Sequence, residues 1–205
     1  LAALLLLCLA PLAFAQEALK GVALVIGQSR YEFLTPLANP GNDARRVEEL
    51  LAGLGFATEV ASDRTGRKLK RDLEDFAEDA EGADVAVVYY SGHGIEAGGE
   101  NYLVPIDAVV AGYTIRADAL VAVAPILESL RERAKIVILL LDACRTNPFP
   151  GGTVLQGTGT ASTVTIAPAG LGAKAAAEAP PAAVRVAVRR RIATIGARPH
   201  STTPT

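Results

Sequence analysis

Cysteine is scarce in this chain, and its scarcity limits the cross-links that the fold can contain. Only Cys8 and Cys144 occur among the 205 residues. Cys8 lies in an apolar N-terminal segment that we expect to be removed from the mature protein. The mature chain then has Cys144 as its only thiol, so it forms no internal disulfide even in an oxidising compartment.

A strong excess of charge and the known phosphate-binding sequences are also missing. The formal net charge is -2, which argues against general binding to nucleic acid. Neither a G-x-G-x-x-G sequence nor a Walker loop is present. A flavodoxin-like nucleotide-binding protein is therefore a weak alternative.

Aromatic side chains stop at Phe149. Beyond it the chain is rich in Ala, Thr, Pro and Gly, and its basic residues outnumber its single acid, Glu178. We predict a folded domain over 16–150 and a low-complexity basic tail over 151–205, which is either disordered or produced by a shifted reading frame. Val184–Ile195 shows no convincing strand or helix period. We therefore expect the last core strands of the domain to be missing.

The first residues are typical of a signal peptide. Leu1–Leu12 is almost entirely apolar, and Ala13–Ala15 fits a small-x-small cleavage signal that makes Gln16 the first mature residue. We expect 1–15 to be removed and the protein to be secreted or periplasmic, without membrane attachment after cleavage. A membrane anchor is the alternative, but the run is shorter than the ~20 residues that a spanning helix needs.

Apolar runs alternate with amphipathic stretches in the middle of the chain. The runs predict buried strands and the amphipathic stretches predict helices. The predicted strands are Val22–Ile26, Phe56–Ala61, Val85–Tyr90 and Ile136–Leu141, and the predicted helices start at Asn42 or Asp43, near Thr65 and at Ala119. This order indicates an α/β fold with a mainly parallel sheet and right-handed crossovers.

Two motifs follow the last two predicted strands. Tyr89–Gly94 contains His93, and Leu141–Arg145 contains Cys144, 51 residues later. The carboxyl ends of parallel strands meet at one edge of a sheet, so we expect these two side chains to be neighbours. A thiol beside an imidazole base can act as a nucleophile. A single buried cysteine or histidine is usually structural, but the pair at matching strand ends favours catalysis.

The two motifs resemble those of the caspase-like cysteine peptidases, the clan of caspases, metacaspases and paracaspases. Y-Y-S-G-H-G and L-L-L-D-A-C-R stand where that family has its His and Cys motifs, and their separation agrees with the spacing known for caspases. The segments A-L-V-I-G and N-D-A-R-R-V-E-E-L-L-A-G-L-G-F resemble the first strand and helix of the family. The resemblance covers about Gly21 to Phe149 and implies a three-layer caspase-like fold.

The resemblance implies a role for each site residue. Cys144 would be the nucleophile and His93 the general acid and base, and the backbone N–H groups of Gly94 and Cys144 would form the oxyanion hole. Asp43 and Asp142 stand where the branch of the family that cleaves after Arg or Lys has acids in its substrate pocket. The substrate would then be a peptide or protein.

Alternatives remain for several of these interpretations. Asp43 fits a helix N-cap nearly as well as a pocket residue, and Asp142 can instead fix the loop after its strand. Arg30 would suit a pocket for an acidic residue, but no matching motif surrounds it. No cofactor is required; calcium activates some metacaspases, although two scattered acids, Asp107 and Asp118, do not define a calcium site. A truncated, inactive caspase-fold module for binding or regulation is the alternative function.

Overall fold

In the part of the chain that the structure describes, the fold is built from short strands, three α-helices and a 3₁₀ helix at Ala117–Ala119. The computed structural model describes residues 19–143, 147–157, 163–168 and 184–188. In chain order the elements are β1 (Gly21–Gly27), α1 (Pro40–Gly53), β2 (Ala57–Ser62), α2 (Gly66–Asp79), β3 (Val85–Gly92), β4 (Gly94–Ala97), β5 (Glu100–Leu103), β6 (Thr114–Arg116), β7 (Val121–Ala122), α3 (Val123–Arg131), β8 (Ile136–Ala143), β9 (Val154–Gln156), β10 (Thr163–Thr165) and β11 (Val184–Val188).

A five-stranded sheet forms the centre. Its order is β11-β8-β3-β1-β2, and every neighbouring pair is parallel. β3 lies in the middle and is buried along its whole length. A strand covered on both faces needs apolar side chains throughout, which is why its sequence is continuously apolar instead of alternating.

Helices cover both faces of this sheet. On one face Val87 and Tyr89 pack in a cluster with Leu51 of α1. On the other face Val88 and Tyr90 pack in a cluster with residues of α2 and α3. Successive side chains of a strand point to opposite faces, so β3 contributes to both cores. The predicted α/β fold with a mainly parallel sheet is confirmed.

Two small sheets lie beyond the carboxyl ends of the central strands. β4 and β5 form an antiparallel hairpin that β7 extends, and β9 pairs with β6 and β10. A separate apolar cluster that includes Tyr31, Ile95 and Phe149 holds this region together. The region of the two small sheets therefore has its own apolar core.

Two helices begin elsewhere than the sequence predicts. α1 starts at Pro40 after the N-cap residue Asn39, so the prediction that Asn42 or Asp43 caps it is wrong. Proline suits the first helical position because its fixed φ matches the helix and no N–H bond is lost there. α3 starts at Val123 and not at Ala119, because Val121–Ala122 pairs as β7 with β5.

Among the described residues, no helix is long and apolar enough to cross a membrane.

The expectation that the last core strands are missing is corrected in part, because one further strand joins the central sheet after Phe149. β9 and β10 lie in the small sheets, and β11 adds an edge strand to the central sheet by pairing in parallel with β8. The sequence Val-Arg-Val-Ala-Val alternates β-branched residues with others, as strands do. Within the longer stretch Val184–Ile195, the three consecutive arginines at 189–191 interrupt this period.

Gly92, the last residue of β3, provides a test of the packing around the site. A Cβ at this position would lie 2.7 Å from the Tyr90 Oη and 2.8 Å from the Tyr31 Oη. Gly92→Ala should therefore lower the free energy of unfolding by about 1–3 kcal/mol, measured by urea denaturation. Gly53→Ala, at the last position of α1, adds a Cβ that meets no atom within 4 Å and replaces glycine by a better helix former, so this control should be at least as stable as the wild type. A Gly92→Ala protein as stable as the wild type would contradict the packing described.

Candidate active site

The register of β3 and β8 fixes where the two motifs meet. Ser91 pairs with Asp142, and Gly92 pairs with Ala143. The paired positions differ by 51 residues, which is also the separation of His93 and Cys144 in the sequence. His93 follows the last pair on one strand, and Cys144 follows it on the other. Cys144 and Arg145 themselves lie outside the described residues.

The backbone of His93 is held by two tyrosine hydroxyls. Its N–H donates to the Tyr31 Oη at 2.7 Å, and its C=O accepts from the Tyr90 hydroxyl at 2.6 Å and from the Val104 N–H at 3.1 Å. The Tyr31 and His93 rings are also in contact, with centroids 4.4 Å apart. With these contacts His93 is 5% exposed, and the direction in which its ring leaves the sheet edge is fixed.

The two ring nitrogens of His93 have different surroundings. Nε2 lies 2.9 Å from the backbone oxygen of Thr35. A carbonyl oxygen only accepts, so we assign the ring proton to Nε2. Nδ1 then carries a lone pair, and it is buried with no hydrogen-bond partner in the described part of the chain. His93 is therefore arranged to accept a proton at Nδ1.

Burial also favours the neutral form of His93. It lowers the pKa of the imidazole below the ordinary 6.5, and the hydrogen bond to Thr35 offsets only part of this effect. Removal from water disfavours the charged imidazolium, as it disfavours any buried cation. At neutral pH the ring is thus unprotonated at Nδ1, which is the form that a general base requires.

Gly94 begins β4 directly after the histidine. It lies opposite Leu103 in the antiparallel hairpin. The Val104 N–H bonds to the His93 oxygen, so His93 and Val104 form a hydrogen-bonded pair. Such pairs alternate with non-hydrogen-bonded pairs along an antiparallel ladder, and the next pair, Gly94 with Leu103, is therefore non-hydrogen-bonded. The Gly94 N–H therefore points away from β5. This orientation is compatible with the predicted oxyanion donor; the second predicted donor, the N–H of Cys144, lies outside the described residues.

The two predicted pocket acids lie around one hydroxyl. The Tyr89 O–H donates to the Oδ2 of Asp142 at 3.3 Å. Burial, followed by the charge of Asp142 and the smaller effect of Asp43, raises the pKa of Tyr89 to about 12. Asp142, on β8, accepts the hydrogen bond of this hydroxyl, whereas Asp43, in the first turn of α1, acts on it through its charge. The structure thus places two acids that are 99 positions apart in the sequence within electrostatic range of one hydroxyl.

Arg30 pairs with a different acid and does not belong to the group of Asp43, Asp142 and Tyr89. Its side chain is 84% exposed, and its Nε donates to the Oδ2 of Asp63 at 2.7 Å. Burial alone would raise the pKa of Asp63, but hydrogen bonds from the backbone N–H groups of Arg30 and Ser29 and from the Arg30 side chain lower it. Arg30 therefore stabilises the loop after β1 and does not form a pocket for an acidic substrate residue.

The acids considered for calcium have other partners. The Oδ1 of Asp107 accepts the Gly66 N–H at 2.8 Å at the start of α2, and Asp118 forms an ion pair with Arg116. Across the ranges that the structure describes, no group of three or more His, Cys, Asp or Glu side chains is placed to hold a metal ion.

Sequence reasoning missed the groups that hold the histidine. Tyr31 and Thr35 come from the loop after β1. The only sequence indication that they contribute to the site is that such loops lie at the carboxyl edge of a parallel sheet. Tyr89 and Tyr90 are buried, and their hydroxyls also contact Asp142 and His93.

Comparison with known proteins gives a family match over most of the chain. Residues 20–201 match the sequence profile of the peptidase family C14, described as Caspase domain. The match thus extends well beyond Phe149. It includes both motifs and β11.

Two curated proteins and two solved structures are also similar. Mucosa-associated lymphoid tissue lymphoma translocation protein 1 of Homo sapiens is 30% identical over 125 residues, which is 60% of this chain and 15% of that protein, and its Mus musculus homolog gives the same figures. The chain therefore spans about 15% of the length of these relatives. Protein GSU0716 from Geobacter sulfurreducens has a TM-score of 0.47 at 18% identity, covering 61% of this chain and 50% of that one. The Drosophila initiator caspase Dronc has a TM-score of 0.46 at 15% identity, covering 67% and 54%.

The lowered pKa of His93 can be measured directly. The chain has only two histidines, so a Cys144→Ala, His200→Gln protein contains a single imidazole and no nearby thiol charge. Its Hε1 resonance should titrate with a midpoint below 6.5. A midpoint at or above 6.5 would contradict the buried, neutral imidazole.

The same shift predicts the sign of a pH effect on stability. As the pH falls, the unfolded chain takes up a proton on this histidine before the folded protein does. Stability should therefore rise with pH between the lowered pKa and 6.5. The His93→Gln variant should lack this contribution when unfolding is followed across that range, and an unchanged slope would count against the assignment.

Proposed function

The chain belongs to the caspase-domain family of peptidases, and from this premise we propose that it is a cysteine endopeptidase that cleaves after arginine or lysine. The family implies protein substrates. The observation that supports the proposal most is the common edge of β3 and β8, where a neutral histidine follows one strand and Asp142 lies two residues before Cys144 on the other. The charge of Asp43 also acts on Tyr89 beside Asp142.

His93 suits the proton transfers of this reaction. The Nδ1 of His93 takes the proton of the Cys144 thiol, and the thiolate sulfur forms a bond to the carbonyl carbon of the substrate. The carbonyl π electrons move to oxygen, which the N–H groups of Gly94 and Cys144 stabilise. When the C–N bond breaks, the imidazolium returns its proton to the leaving amine. Water then attacks the acyl carbon and gives one proton to His93; the C–S bond breaks, and the imidazolium returns that proton to the departing sulfur, which restores the thiol and the neutral histidine.

The acids determine the side chain that the pocket accepts. Asp43 and Asp142 place two carboxylates near the Tyr89 hydroxyl, so a substrate cation there gains charge-assisted hydrogen bonds. A substrate carboxylate would instead meet like charge. Arg30, which could favour an acidic residue, pairs with Asp63. This arrangement favours Arg or Lys before the scissile bond.

The remaining parts of the proposal come from the sequence. Residues 1–15 act as a signal peptide, and the peptidase works as a secreted or periplasmic protein. Catalysis uses the His93 and Cys144 pair without a required cofactor. If the chain instead lacks activity, it is a caspase-fold module that binds or regulates other proteins.

Peptide turnover distinguishes these functions. Fluorogenic peptides with Arg, Lys or Asp before the scissile bond should be cleaved after Arg or Lys only, and Cys144→Ala should abolish cleavage. Asp142→Asn should lower kcat/KM for the Arg peptide by about 30-fold or more, because a buried cation would lose its charged partner. Asp118→Asn is the matched control, since Asp118 pairs with Arg116, and should keep wild-type rates.

Two outcomes would sink the proposal. One is the absence of turnover by folded protein with every peptide, which would favour the binding module. The other is cleavage after Asp at a rate equal to that after Arg, which would show that the two acids do not select the substrate side chain.

A further inference from the structure

Tyr89 packs its ring in the apolar core on one face of β3 and carries a hydroxyl at the edge of that core. Its ring is 6% exposed and packs in the cluster that Val87 and Leu51 share. A phenylalanine would fill the same volume. The hydroxyl therefore adds a desolvation cost that only a hydrogen bond offsets.

The hydrogen bond of this hydroxyl points to the proposed substrate pocket. Its proton is directed at the Oδ2 of Asp142, 3.3 Å away. Burial and the two nearby carboxylates raise the pKa of Tyr89 to about 12, so the group remains a donor at neutral pH. Tyr90, the next residue, faces the opposite layer and donates to the His93 oxygen. Two adjacent tyrosines thus hold two different residues of the site.

A fixed carboxylate discriminates between the two basic side chains. Guanidinium is planar and has its donors in a rigid fork, so it bonds well only to acceptors in a fixed orientation. Ammonium is a compact charge with rotatable donors and accepts many orientations. When the Tyr89 hydroxyl holds Oδ2, the rotation of the Asp142 carboxylate is restricted and Oδ1 stays in a defined position.

We propose that Tyr89 is a positioning residue of the substrate pocket, whose hydroxyl orients Asp142 and thereby sets the preference for arginine over lysine. The proposal rests on the proposed function, because it takes Asp142 to bind the basic side chain. Tyr89 acts through Asp142 and does not contact the reacting atoms.

Tyr89→Phe removes the hydroxyl and keeps the ring that fills the core. With the Arg peptide, KM should rise about fivefold to tenfold at nearly constant kcat, the usual effect of one lost hydrogen bond. KM for the Lys peptide should change less, so the ratio of kcat/KM for Arg over Lys should fall. Tyr113→Phe is the matched control, because Tyr113 is 65% exposed, and should keep wild-type values.

A binding assay separates this proposal from the question of catalysis. p-Aminobenzamidine, a planar amidinium, is titrated against the Cys144→Ala protein and followed by its fluorescence. The additional Tyr89→Phe change should weaken binding about fivefold to tenfold. Circular dichroism and the urea midpoint confirm that each variant is folded.

Each result supports or overturns one of the two ideas. Weaker probe binding by the Tyr89→Phe protein, without turnover by any variant, would support the proposal and reject the peptidase function. Turnover after Arg with unchanged KM and Arg:Lys ratio in Tyr89→Phe would support the peptidase and reject the role of Tyr89. No probe binding by the Cys144→Ala protein would overturn the pocket and the role of Tyr89 together.

Discussion

The parallel pairing of β3 with β8 is the constraint on which the rest of the site depends. Gly92 lies opposite Ala143, so the residues that follow these two leave the sheet together. A slip of one residue would turn every side chain of a strand to the opposite face. It would also move Asp142 away from the face of Tyr89. The apolar side chains that β3 and β8 bury in the two helical layers therefore fix the chemistry as well as the fold.

The histidine depends on a second layer of support from the loop after β1. Tyr31 and Thr35 come from that loop, and one binds the backbone of His93 while the other binds its ring. Gln28 anchors the start of the loop, because its buried side chain bonds to both the N–H and the C=O of Arg64. The network leaves Nδ1 as the polar atom of the ring without a partner among the described residues. A group kept neutral and unpaired in this way costs stability and is retained where it serves a reaction.

The sequence predicted the parts of this arrangement that depend on regular patterns. Continuous apolar runs identified β3 and β8, and the spacing of the two motifs agreed with the register that the strands adopt. The acids at 43 and 142 were expected from the family resemblance, and the structure places both near Tyr89. The hydroxyl contacts were not predictable, because a buried tyrosine has the same hydrophobic pattern whether or not its hydroxyl is used. The backbone oxygen of Thr35 has no sequence signature at all.

The most direct test of the account is covalent labelling of the proposed nucleophile. Acyloxymethyl ketone peptides with Arg or Asp in the position next to the reactive group are incubated with the wild-type protein, and adducts are located by mass spectrometry. The account predicts one adduct, on Cys144, that forms with the Arg probe much faster than with the Asp probe and that requires His93. Labelling at equal rates with both probes, or no adduct on Cys144 of the folded protein, would contradict it.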